Sequence, residues 1–252
     1  MKEKLRLVRN LLEKRRARHK ERCFVVEGPH LVEEALGRTR FVVYSEELAI
    51  MEKVRQAGVE VFKISRRQFA DLTEVETPQG ILAVVREQSF ELKDALKGTN
   101  PLAVFCIEVQ DPGNLGTIIR TADAVSASGV ILSRGTVDLY NQKVIRSTMG
   151  SLFHLPVVQV DEAVEAIGYL KDRKVKVIAT AADAKKSYFE ADFSKPSVIL
   201  VGNEGAGLSD EVVKLADDMV SIPMPGKAES LNVGVSTAVV LYEALRQRNY
   251  AG

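Results

Sequence analysis

The second half of this chain carries short runs of consecutive apolar residues: LAVFCIEV at 102–109, VIL at 130–132, VKVIAT at 175–180, SVILVG at 197–202 and MVSIP at 219–223. A strand with one wet face alternates apolar and polar residues, whereas an uninterrupted apolar run belongs to a strand covered on both faces. Between the runs lie stretches with helical spacing at 114–127, 138–148, 161–171 and 209–217. Alternation of this kind predicts an α/β fold, with a parallel sheet flanked by helices on both faces.

The first 85 residues read differently, as short elements in mixed order. A basic helix is expected over 2–18, strands at 23–26, 40–44, 59–64 and 81–85, and helices at 29–36 and 47–57 with a short one before the last strand. The polar stretch REQSFELKDALKGTN at 86–100 ends just ahead of Pro101 and is the expected linker. Two domains follow, 1–90 and 101–252. The last helix, expected from Asn232 to about Gln247, is apolar around most of its circumference. Such a helix is buried on more than one side, so we expect it to serve both the core and a contact with a second subunit.

No run of about 18 apolar residues occurs, and the N-terminus lacks the apolar stretch of a signal peptide, so a cytoplasmic protein with no membrane partner is expected. Cys23 and Cys106 adjoin or sit inside apolar runs and read as buried packing. His19, His30 and His154 are scattered without ligand spacing, so no metal is expected. The net charge of +1 hides an asymmetry: residues 1–22 hold ten Lys or Arg against three Glu. Such an arm attracts a polyanion such as RNA through counterion release, or else is simply the wet face of a helix.

Ligands of parallel α/β sheets bind where strands end and loops open. Three such places carry unusual residues. In DPGNLGTIIRTADA at 111–124 a tight turn enters a helix, Asn114 is placed to cap it, and Arg120 stands among apolar neighbours. In VGNEGAGLSD at 201–210 three glycines permit close backbone approach, and Ser209 is suited to cap the next helix. Its G-x-x-G-x-G spacing is neither the dinucleotide nor the nucleoside-triphosphate pattern, and Glu204 in its middle would repel a pyrophosphate. In IPMPGKAESLNVGVSTA at 222–238 a proline-pinned loop leads to the apolar helix with Ser230 and Asn232 at its mouth. These loops offer Asn, Arg, Glu and Ser, but no Ser-His nucleophile pair and no metal ligands. Such a set suits positioning and polarising a hydroxyl.

The three motifs, in this order and spacing, resemble those of the SpoU (TrmH-like) family of RNA 2′-O-ribose methyltransferases in the SPOUT superfamily, over residues 102–248. FVVEGPHLVEEAL at 24–36 and TPQGILAVV at 77–85 are similar to the family's ribosomal-protein-like substrate-binding domain. The resemblance implies a trefoil knot, a homodimer with its active site completed across the interface, and S-adenosyl-L-methionine as cofactor. By motif, Thr180, Gly202, Ile222 and Leu231 would contact the cofactor, with the two apolar side chains flanking its adenine. Asn114, Arg120, Glu204, Ser230 and Asn232 would form the catalytic edge. Ser126 departs from a glycine more usual in the family, and Gly234 interrupts a helix.

The separate first domain points to ribosomal RNA as substrate. Alternatives are a transfer-RNA 2′-O-methyltransferase, a catalytically inactive RNA-binding relative, and a nicotinamide oxidoreductase that lacks its usual glycine motif. The family's arginine has been proposed as the base that takes the hydroxyl proton. Deprotonating a side chain with a pKa above about 12 at neutral pH costs roughly 7 kcal/mol, so a charged clamp on phosphate and developing oxyanion is the less costly role.

Overall fold

A computed structural model of the protein describes residues 1–73, 75 and 77–249; the last three residues of the expected second domain, 101–252, lie outside the described ones, as do 74 and 76 of the first. The chain divides into two compact units, residues 1–88 with 138–153, and residues 89–137 with 154–252.

In the first unit a four-stranded sheet has the order β1-β4-β2-β3, from β1 (Cys23–Glu27), β2 (Thr39–Tyr44), β3 (Glu60–Lys63) and β4 (Ile81–Arg86). β4 is antiparallel to both β1 and β2, while β2 and β3 run parallel. Helices α3 (Pro29–Ala35), α4 (Ile50–Gln56) and α5 (Arg66–Ala70) connect them. Val8 and Leu11 from the N-terminal helix join Val25, Val43, Phe69 and Val84 in one core.

The expected helix over 2–18 is in fact two, α1 (Lys2–Glu13) and α2 (Arg15–Glu21), because Lys14 between them is extended. Arg18 is buried and reaches back to the end of α1, donating to the carbonyls of Leu11 at 2.6 Å and Leu12 at 3.2 Å. Those carbonyls have no helical partner where α1 stops, so the guanidinium satisfies them. Its other edge binds Asp138 at 2.6 and 3.0 Å. The segment 138–153, whose helix α7 (Gln142–Thr148) the sequence reading placed with the second sheet, thus belongs to the first unit. There Gln142 donates to the Val25 carbonyl at 3.0 Å, and Tyr140 stacks on Phe24 with centroids 4.4 Å apart.

The second unit is built on a seven-stranded sheet in which every neighbouring pair is parallel. Its strands are β5 (Leu102–Cys106), β6 (Gly129–Ser133), β7 (Val157–Val160), β8 (Lys176–Thr180), β9 (Lys186–Ser187), β10 (Ser197–Val201) and β11 (Asp218–Ser221), ordered β7-β6-β5-β10-β8-β11-β9. All five apolar runs are strands, and the central β5 and β10 are buried at every residue. The unforeseen strands β7 and β9 are the two edges, one half-buried and one only two residues long.

Ala103, Phe105, Val198 and Leu200 pack with Ile167 and Leu170 of α8 (Ala163–Asp172) and Val212 of α9 (Asp210–Leu215). Alternate residues point the other way, where α6 (Pro112–Ala124) packs on β5 and β6. The last helix, α10 (Val233–Asn249), packs against α6. The expected linker is not free chain: residues Leu92–Leu96 form a short 3-10 helix whose Ala95 is fully buried.

Ser126 adopts φ +56°, a left-handed conformation costing roughly 1–2 kcal/mol for a residue other than glycine, so a glycine would suit that position better. Gly234 has a packing reason. A Cβ on it would stand 3.1 Å from the Thr117 side chain and 3.2 Å from Asn232 Oδ1, so the glycine lets α10 approach α6 closely.

Candidate functional site

All three motif loops open at the C-terminal ends of parallel strands: β5 leads to the first, β10 to the second and β11 to the third. The helix after β5 is capped by Asp111, whose carboxylate accepts from the Asn114 backbone N–H at 2.9 Å. This corrects the expectation that Asn114 is the cap. Asp111 precedes a proline at the first helical position, where the missing N–H is not needed.

Relieved of capping, the Asn114 side chain joins the three loops. Its Nδ2 donates to Glu204 at 2.9 Å, and its Oδ1 accepts from Asn232 Nδ2 at 2.7 Å. Asn232 does cap its helix, since its Oδ1 accepts from the N–H groups of Gly234 at 2.9 Å and Val235 at 3.2 Å. Both Glu204 oxygens are engaged, taking the N–H groups of Gln110 and Asp111 at 3.0 Å each. Ser209 caps α9 as expected.

Asn203, which sequence reasoning passed over, holds the second loop in shape. Its side chain accepts from Gly205 and Ala206 at 2.9 Å and donates to the Glu108 carbonyl at 3.0 Å. Gly202 is required by the loop itself, because a Cβ there would overlap the backbone of Gly207. An Asn just after a strand in a glycine-rich turn is the signal that would have found it.

Burial alone would raise the Glu204 pKa, yet the hydrogen bonds from Asn114, Gln110 and Asp111 outweigh it and hold the carboxyl below its usual value. A depressed folded-state pKa contributes stability that is complete above the unfolded value and lost as pH falls through the folded one. Glu204→Gln keeps the shape but loses the charge, and because the residue is exposed we expect a modest loss of about 1 kcal/mol. Thermal unfolding of the two proteins should differ fully above about pH 5 and converge under more acidic conditions. A gap that persists unchanged to pH 3 would contradict a charged hydrogen-bond acceptor.

Beside this network lies a cleft of about 320 Å³. Thr180, Gly202, Ile222, Ser230 and Leu231 line it, together with Glu204 and Asn232. Leu231 is 39% exposed although apolar, and the Thr180 hydroxyl donates to the Leu200 carbonyl at 2.9 Å. Ser230 is exposed and has no hydrogen bond to a described residue. Glu204 is the one charged side chain among the lining residues, so the cleft offers no cation to a pyrophosphate. Apolar surface from residues such as Ile222 and Leu231, with the Glu204 carboxylate, suits a ligand that carries both an apolar ring and a positive charge. Those are the adenine and sulfonium of S-adenosyl-L-methionine, so the residues present fit that cofactor.

Arg120 is not brought to this cleft within one chain. It is exposed on α6 and has no hydrogen bond or ion pair with a described residue. Six residues beyond Asn114, it points about 120° away around the helix. Neither cysteine offers a nucleophile: both are buried, and burial pushes the Cys106 thiol pKa far up.

A model of the SpoU rRNA Methylase family matches residues 101–242, and one of the MRM3-like substrate binding domain matches residues 2–83. Over 241 residues the chain is 40% identical to the 23S rRNA (guanosine(2553)-2′-O)-methyltransferase RlmP of Bacillus subtilis, covering 92% of each. It is 33% identical to the 23S rRNA (guanosine-2′-O-)-methyltransferase RlmB of Ralstonia nicotianae, over 79% of this chain and 82% of that one. Among solved structures, the SpoU methyltransferase AviRb from Streptomyces viridochromogenes in complex with AdoMet aligns with a TM-score of 0.92, 32% identity and 99% coverage of both chains. A parallel sheet whose strand-end loops are tied by Asn114, Glu204 and Asn232, with the family match over residues 101–242 and the 40% identity to RlmP over 92% of the chain, places the chain in the SpoU rRNA methylase family.

Proposed function

We propose that the protein transfers a methyl group from S-adenosyl-L-methionine to a ribose 2′-hydroxyl of ribosomal RNA, acting as a homodimer. The observation that carries this reading is the Asn114–Glu204–Asn232 network beside a cleft whose one charged lining residue is an acid. The first unit, matched as a substrate-binding domain, and the two 23S rRNA-modifying relatives support ribosomal over transfer RNA.

The cofactor, when bound, supplies a methyl group already activated by its positive sulfur. Ile222 and Leu231 hold the adenine, and Asn114, Glu204 and Asn232 fix the loops that align the incoming hydroxyl. Arg120, from the second subunit, clamps the RNA phosphate and stabilises the oxyanion as the hydroxyl proton passes to solvent water. The trefoil threading belongs to this reading. Placement of β10 between β5 and β8, with α10 lying on α6, supports it.

Dimerisation is supported by the two sides of α10. Gly234, Thr237, Val240, Leu241 and Ala244 are buried along one side. Val235 and Tyr242 lie 49% and 53% exposed on another, an apolar strip unpartnered in the single chain. Methylation mapping of ribosomal RNA in cells with and without the gene tests the substrate assignment. A single ribose methylation should vanish from 23S RNA, and an unaltered ribosomal pattern with a loss in transfer RNA would redirect it.

The basic arm contributes to RNA binding through fewer cations than its ten. Lys4 pairs with Glu60, Arg18 with Asp138 and Arg22 with Glu87. Lys2, Arg6, Arg9, Arg15, Arg16 and Lys20 are exposed and pair with no described residue. Deleting the arm would remove the buried Val8 and Leu11, so point changes are the cleaner probe. Replacing Arg6, Arg9, Arg15 and Arg16 by Gln should flatten the slope of log K against log salt by about 0.7–0.9 for each phosphate that is no longer neutralised. An identical slope would make the arm a solvated face.

A further inference from the structure

The first unit holds a second cavity, of about 290 Å³, lined by Glu27, Gly28, His30, Leu31, Gln79, Arg146 and Met149, all within that unit. We propose that it binds one unpaired guanine nucleotide of the RNA, separate from the nucleotide that is methylated. This rests on the RNA substrate argued above.

The polar wall carries the assignment. Glu27 accepts from the Thr73 hydroxyl and from the Gln79 backbone N–H, one on each oxygen, which fixes the carboxylate and leaves a further lone pair on both. The Gln79 carboxamide lies against Gly28, whose φ of +101° and missing side chain admit it. No described residue hydrogen-bonds to that carboxamide. Two adjacent acceptors match the adjacent N1–H and N2–H₂ donors of guanine, while the other bases offer no such pair on that edge. That amide can meet guanine O6.

The remaining walls fit the rest of a nucleotide. Leu31 is buried, and Met149 is 53% exposed, a pliable thioether able to lie on the face of a base. Its position is set by a left-handed backbone, φ +51°, and by His30 Nε2, 3.1 Å from its carbonyl. Arg146, exposed and paired with no described residue, is a cation at the rim for the phosphate. RNA-binding domains read single nucleotides in this way, through the edge and face of an unstacked base.

The test uses the full-length protein labelled with ¹³C-methyl methionine and titrated with GMP, AMP, CMP or UMP. Met149 reports on this cavity and Met224 on the cleft of the second unit. GMP should move the Met149 methyl signal saturably and bind about tenfold tighter than the other three. The response should be lost in Glu27→Gln. Because Glu27 also holds Thr73 and Gln79, Arg146→Gln provides a variant that leaves those bonds intact, and it should weaken GMP and raise the KM for RNA. No saturable movement, or equal movement with all four nucleotides, overturns the proposal. If methyl transfer proceeds in that case, only this pocket is lost; absent methyl transfer would instead overturn the functional reading.

Discussion

Arg120→Ala is expected to lower the rate of methyl transfer by on the order of 10³-fold while cofactor affinity stays close to wild type. The side chain is exposed on α6, is not part of the cofactor cleft of its own chain, and has no partner among the described residues. Its removal therefore breaks no hydrogen bond or ion pair among the described residues, and a large effect reports on RNA or on the reacting oxygen. Arg120→Lys keeps the charge without the two-pronged donor geometry and should fall about 10–100-fold. If the residue were the base, the lysine variant would recover as pH rises toward about 10, since lysine gives up its proton more readily. The charged-clamp role predicts no recovery. Mixing Arg120→Ala with a variant defective in the cleft also tests whether the arginine acts across subunits. Random pairing should restore up to about a quarter of wild-type activity, because half the dimers then hold one intact composite site. No restoration would place Arg120 outside the partner's site.

Leu231→Asp is expected to abolish cofactor binding. Wild-type affinity should be micromolar, roughly −8 kcal/mol. Leu231 keeps 39% of its surface exposed in the cleft wall and is not part of the buried core, so the change is tolerable to the fold. The aspartate, however, would set a charge against an aromatic ring that has to exclude water around it. Calorimetry on the folded variant decides this: unchanged affinity would remove Leu231 from the adenine site and with it the assignment of the cleft.

Much of the fold could be read in the sequence because the second unit's core strands are short unbroken apolar runs, and such runs have few other uses. The edges were harder. VVQV at β7 is half-buried, and β9 is two residues long, so neither carries a pattern that differs from loop. Three further features depend on distant partners. The break at Lys14 is stabilised by Arg18, whose second partner, Asp138, lies 120 residues on. The helix at 142–148 has a legible apolar face, but spacing does not tell which core that face will meet. Asn114 is a good cap by residue type, yet Asp111 took that role and left the amide to bind Glu204 and Asn232.

At the site, the strand-end loops stood out because polar residues and glycines interrupt apolar surroundings. What the loops do to one another was not legible. Gly202 reads as room for a ligand, but the structure uses that room for Gly207 of the same loop. Arg120 reads as part of one edge with Asn114, and within one chain helical geometry turns the two side chains about 120° apart.

The central claim is that the acceptor is a ribose hydroxyl of RNA, and alkaline hydrolysis of the product tests it most directly. Purified protein would be incubated with methyl-tritiated S-adenosyl-L-methionine and unmodified 23S RNA, and the labelled RNA then digested in alkali. Alkaline cleavage requires the 2′-hydroxyl as internal nucleophile, so a methyl group on that oxygen blocks the cut beside it. The account predicts that the tritium is recovered in alkali-resistant dinucleotides. Label recovered in mononucleotides would mean that a base was methylated, and RNA without label would mean that this fold binds RNA without modifying it; either result contradicts the account.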